Sequence, residues 1–177
     1  MAVLVEGISI IFKASSIIDK YPGGWESFKT EVPNQTLCAD GELIRIGFMS
    51  PDDVKAFIED LKDYEIIYIK NNKSYDLVVV DQIYGFASDC DWAEFGTIDW
   101  DGDPNKEISA CRMKDSKIDQ IITPEGWEYD KSLRKNFKFV KTEEKYEKLV
   151  FLRHEDGLDV YIDSETGKEV FMGRKNS

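Results

Sequence analysis

The chain has 177 residues, of which 42% are hydrophobic and 12% aromatic, enough apolar matter for a core without staples. Its net charge is −12, which argues against nucleic acid or an anionic membrane surface as direct ligands, because both need a basic face. Three cysteines without CxxC spacing and one histidine exclude a disulfide framework and leave little for zinc or histidine chemistry.

Residues 2–12, AVLVEGISIIF, form an apolar run rich in β-branched side chains and predict one central strand. The run lacks a basic start and Glu6 interrupts it, so it reads as structure and not as a secretion signal, which places the protein in the cytoplasm. Ser15 or Ser16 starts a short helix that Pro22 stops, and a second follows Gly23-Gly24, with Trp25, Phe28 and Val32 on one face. Asp40-Gly41 marks a hairpin turn with positive φ at both centres. In the strand after it, Leu43, Arg45 and Gly47 alternate with Ile44, Ile46 and Phe48, the pattern of a half-buried strand.

SPDDVKAFIEDLKDY carries the strongest helix signal. Ser50 is the N-cap, Pro51 stands at the first helical position, and Asp53 has capping-box spacing. Met49 is placed to contact Val54 across the cap, while Val54, Phe57, Ile58 and Leu61 form the core face. EIIYIK then predicts a strand at a sheet edge. The expected class is α+β: a β-α-β-β-α-β half in ferredoxin-like order, then a mainly antiparallel β half. The domain expectation is a single domain over 1–177, with a junction near 71–75 between an α+β lobe (1–70) and a β-rich lobe (71–177).

YDLVVVDQIYGF is a strand, and DWAEFGTIDW with KEISACRM makes a hairpin. IDQIITPEGW has no clear assignment. KFVKTEEKYEKL reads as a solvated face. LVFLRHEDGLDVYIDSETGKEVFMG gives two or three strands, with an SETG loop that favours positive φ at Gly167.

Chemistry concentrates in the middle third, where residues 71–130 hold fourteen acids and five bases. Within it, TIDWDGDPNKE puts oxygen-bearing side chains at alternate positions, yet the calcium-loop template fails. Counting from Asp99, position six is Pro104 in place of glycine and position twelve is Ala110 in place of glutamate. Asp101-Gly102-Asp103-Pro104-Asn105 is a run of turn formers. The segment 89–107 nevertheless carries Asp89, Asp91, Glu94, Asp99, Asp101, Asp103 and Glu107 against a single base, Lys106, with Trp92 and Trp100 interleaved. Crowded carboxylates repel until a cationic partner arrives, and tryptophan is enriched at binding hot spots. The candidate binding residues are therefore Asp89, Asp91, Trp92, Glu94, Asp99, Trp100, Asp101 and Asp103.

No nucleophile elbow, P-loop, dinucleotide fingerprint or H-E-x-x-H motif is present, so no catalytic residue, metal ligand or cofactor is assigned. In size, acidity and lack of catalytic residues the chain resembles a bacterial immunity protein, the kind that blocks a cognate toxin. That resemblance implies a non-enzymatic interaction domain with a basic protein partner, such as a toxin. The alternatives are a small-molecule or calcium-like metal-binding domain, and an enzyme of unknown type.

Overall fold

The structure, a computed structural model, describes residues 1–132 and the strands Leu149–Glu155, Leu158–Asp163 and Glu169–Gly173. The class is α+β, and the described residues of 1–132 stack in three layers. Helices cover one face of a five-stranded sheet, and a four-stranded sheet covers the other. The predicted first strand is in fact two, β1 (Ala2–Val5) and β2 (Ile8–Lys13). Gly7 breaks it with φ 58°, a left-handed conformation that glycine adopts without steric cost. Gln82 pins the break: Gly7 N donates to its Oε1 at 3.0 Å, and its own N donates to Gly7 O at 2.9 Å. One apolar run thereby supplies a strand to each sheet.

After β2 come α1 (Ala14–Lys20) and α2 (Gly24–Glu31), separated at the predicted Gly23-Gly24 break. β3 (Cys38–Ala39) and β4 (Leu43–Phe48) form the predicted hairpin. Only Gly41 has positive φ in its turn. Asp40 instead accepts from the backbone N–H groups of Glu42 and Leu43 through Oδ1, closing the turn with its side chain.

β4 is buried along its whole length and is not the half-buried strand its alternation suggested. Its two faces meet two different layers. Ile44, Ile46 and Phe48 join the helix-side core, while Leu43 points to the second sheet. Arg45, 3% exposed, donates to Ser9 Oγ, Thr36 O and Glu6 O at 3.0–3.1 Å. Gly47 makes room for it, since a Cβ there would lie 2.4 Å from Arg45 Nη2.

Helix α3 (Pro51–Leu61) begins as predicted: Ser50 Oγ accepts from Asp52 N at 3.2 Å, and Val54, Ile58 and Leu61 are buried. Met49, which the sequence places to contact Val54, is 48% exposed. Ser50→Ala is expected to lower stability by about 1 kcal/mol, because it strands an N-terminal N–H of the helix. Urea denaturation checks this, with an unchanged midpoint counting against the cap.

EIIYIK is not the sheet strand expected. Only β5 (Ile69–Lys70) forms, in a separate two-residue hairpin with β6 (Lys73–Ser74), turned by Asn71 and Asn72 at φ 56° and 64°. Place in the five-stranded sheet falls instead to β7 (Leu77–Asp81) and β8 (Gly85–Phe86). The order is β3-β4-β2-β7-β8, with every neighbouring pair antiparallel. The four-stranded sheet has the order β11-β1-β10-β9, built from β9 (Ala93–Asp99), β10 (Glu107–Met113) and β11 (Ile121–Ile122) beside β1. Strands that follow residue 70 thus complete sheets begun before it. The remaining strands, β12 (Leu149–Glu155), β13 (Leu158–Asp163) and β14 (Glu169–Gly173), form an antiparallel meander. The KFVKTEEKYEKL face, apart from its last residue Leu149, and the SETG loop lie outside the described residues. Among the described residues no helix is long and apolar enough to cross a membrane.

Candidate functional site

The β9–β10 hairpin carries the acidic segment, and its geometry divides the candidate residues. β9 pairs with β10 over seven residues in unbroken register, from Ala93↔Met113 to Asp99↔Glu107. A strand of that length spans about 20 Å. Asp89, Asp91 and Trp92 therefore lie at one end, and Asp99, Trp100, Asp101 and Asp103 at the other.

The first group is largely engaged within the chain. Trp92 is half-buried against the inter-sheet core and donates from Nε1 to Ser74 O at 3.0 Å. Its other face meets the Lys13 ammonium, 5.1 Å from the ring centroid. Asp91 pairs with Lys73 at 3.3 Å, an exposed contact of little energetic weight. Glu94 stands opposite Arg112, and its Oε2 accepts from Nη2 at 2.6 Å and Nε at 2.9 Å. Asp89 is exposed.

The second group forms the hairpin tip. Trp100 N donates to Lys106 O, Asp103 N to Trp100 O, and Lys106 N to Asp103 O, so the backbone closes on itself through a short 3₁₀ turn, Trp100–Gly102. Asp101 and Gly102 carry positive φ there, 54° and 70°. Asp103 Oδ1 accepts from Asn105 N at 2.9 Å. This is the turn that the turn-former run predicts. It leaves Asp99 and Asp101 exposed and Asp103 half-buried, none of them in an ion pair among the described residues. Lys106, the one base of the segment, makes no ion pair among the described residues either. Its ammonium sits 5.7 Å from the Tyr129 ring centroid.

Trp100 is half-buried, with its ring edge-on to Trp127 at 4.9 Å between centroids. Trp127 Nε1 in turn donates to Glu6 Oε1 at 2.7 Å. The indole at the tip is thus braced, through a second indole, on the junction where β1 ends and β2 begins. Trp127 lies in the unassigned stretch ending TPEGW, where no motif or spacing singles it out.

Other chemistries find little to work with. Burial pushes the Cys38 thiol up to about 11 and raises Cys90 and Cys111 as well, so the three remain protonated and poorly nucleophilic at neutral pH. No group of three or more His, Cys, Asp or Glu side chains among the described residues is placed to hold a metal ion. No family model, characterised protein or solved structure matches the chain. Nothing positively indicates an enzyme.

Proposed function

We propose that this chain is a non-enzymatic, cytoplasmic interaction domain that receives a basic protein through the tip of the β9–β10 hairpin. A basic toxin, neutralised in the manner of an immunity protein, is the partner type its acidity suits. One observation carries the reading: Asp99 and Asp101 stand exposed and in no ion pair among the described residues, beside an indole packed edge-on against Trp127. A net charge of −12 steers a cationic surface towards the molecule, and a pre-positioned aromatic side chain gives it a place to anchor. Asp89, Asp91, Trp92 and Glu94 contribute to the field but not to this anchor.

The test follows the local geometry. Asp103 supports the turn and is left alone. Asp101, at positive φ, is changed to Asn, which tolerates that conformation, and Asp99 to Lys. Partners are captured on the wild-type chain from lysate of its native cells, at low and high salt, and then purified. Association with Asp99→Lys/Asp101→Asn is expected to be about tenfold slower or more, with a flatter salt dependence. An unchanged rate, with the circular dichroism of the variant native-like, overturns the reading.

A further inference from the structure

We infer that the free edge of β9 accepts an added strand, an extended basic segment of the partner that pairs with Ala93–Asp99 through backbone hydrogen bonds. The inference rests on the reading above and names how the partner is held. In the order β11-β1-β10-β9, β9 is the sheet edge, and among the described residues no strand pairs with its other side. An unpaired edge presents a row of N–H and C=O groups, and proteins commonly blunt it with lysine, proline, a bulge or a very short strand. β9 has none of these. It is seven residues long, contains no proline, lysine or arginine, and keeps its register with β10 throughout.

The charge pattern selects the occupant. The middle of β9, Phe95-Gly96-Thr97-Ile98, is uncharged, with Gly96 and Thr97 exposed. Exposed carboxylates stand beyond both ends, Asp89 and Asp91 before the strand and Asp99 and Asp101 where it closes. Asp91 is already matched by Lys73, so the stronger attraction is at the tip. An added strand with cationic residues at its two ends and a neutral middle satisfies both the backbone and the charges. An acidic segment would meet repulsion at each end.

A pocket beside the edge adds selectivity. A cleft of about 170 Å³ has Ala2, Gly96, Ala110 and the Glu94–Arg112 pair among its lining residues. A Cβ at Gly96 would meet nothing within 4 Å, so the space above it is open. Because Glu94 is already paired with Arg112, the cleft favours an apolar side chain over another cation. A large ring on the added strand, opposite Gly96, covers the glycine as aromatic side chains do for glycine in sheets.

The probe is a synthetic peptide with lysines at both ends, alternating threonine and valine between them, and a central tryptophan. Two N-methylated forms are made, with methyl groups on one or the other set of alternate residues. In an added strand only one set of N–H groups faces β9, so one form is expected to bind the full chain at least about tenfold more weakly than the other. The unmethylated peptide is expected to slow amide exchange across residues 93–99. Equal binding of the two methylated forms, or no binding of the unmethylated one, overturns strand addition. If the methylated forms bind equally but Asp99→Lys/Asp101→Asn abolishes binding, docking at the tip survives without the strand. If one methylated form loses binding while the tip variant binds normally, edge pairing holds and the tip reading falls.

Discussion

Phe12→Ala is expected to lower stability by about 3–5 kcal/mol, the range for emptying an aromatic site in a packed core. Phe12 is fully buried on β2 and faces the helix layer. Its ring meets Phe28 of α2 edge-on at 5.5 Å and Phe57 of α3 at 6.3 Å. One side chain therefore joins α2 and α3 to the central strand of the five-stranded sheet, and neighbours on two separate helices cannot both close on the void. A domain of this size loses roughly 2–4 °C of Tm per kcal/mol, so a fall of about 10 °C is expected by calorimetry. Phe12→Leu keeps most of the volume and should recover more than half of the loss. A Phe12→Ala shift of under about 3 °C would show that the helices do not depend on this contact.

Asp76→Ala is expected to cost about 2–4 kcal/mol. Asp76 is 3% exposed, just before β7. Its Oδ1 accepts from Ser16 Oγ at 2.7 Å, and its Oδ2 accepts from Ile67 N at 2.7 Å and Lys20 Nζ at 2.9 Å. Ser16 and Lys20 belong to α1 and Ile67 to the segment after α3, so one carboxylate fastens two connections to the sheet. Alanine leaves the buried Ser16 hydroxyl and the Ile67 N–H without an acceptor. The ion pair itself counts for less, because the Lys20 side chain is 31% exposed and returns readily to water. Asp76→Asn should rescue part of the loss, since its amide oxygen keeps the Ile67 N–H and its N–H₂ group donates to the Ser16 hydroxyl oxygen, while the charge facing Lys20 is lost. Chemical denaturation of the two variants checks the order, and an Asn variant as stable as wild type would refute it.

Much of the local structure was legible in the sequence because it depends on neighbours along the chain. Ser50 and Pro51 start α3 by capping and by fixed φ, and both act within one helical turn. The Gly23-Gly24 break and the turn at Asp40-Gly41 rest on conformational preferences of single residues. The β9–β10 hairpin followed from turn formers between two strand patterns. The α+β class followed from the sum of such signals. Even so, Asp40 closes its turn with a side chain instead of positive φ, a choice that dipeptide statistics do not resolve.

The candidate site was legible in part. The tip acids and Trp100 fall together because they are close in sequence. Asp89 to Glu94 are also near them in sequence, but an extended strand separates its ends by its full length. The brace on Trp100 comes from Trp127 and from Glu6, which are 121 residues apart. No local pattern encodes that contact.

By itself the sequence determined composition, charge and the propensities of short segments: an acidic α+β chain, its capped helix, its turns and its acidic hairpin. Tertiary structure alone decided that AVLVEGISIIF divides at Gly7 between two sheets, that β7 and not EIIYIK completes the first sheet, and that β9 lies at an edge. The physical reason is that apolar periodicity shows that a face will be buried but not against what. Partner strands are chosen by packing among residues far apart in the chain, and that choice turned a run of acids into two charged ends of one open strand.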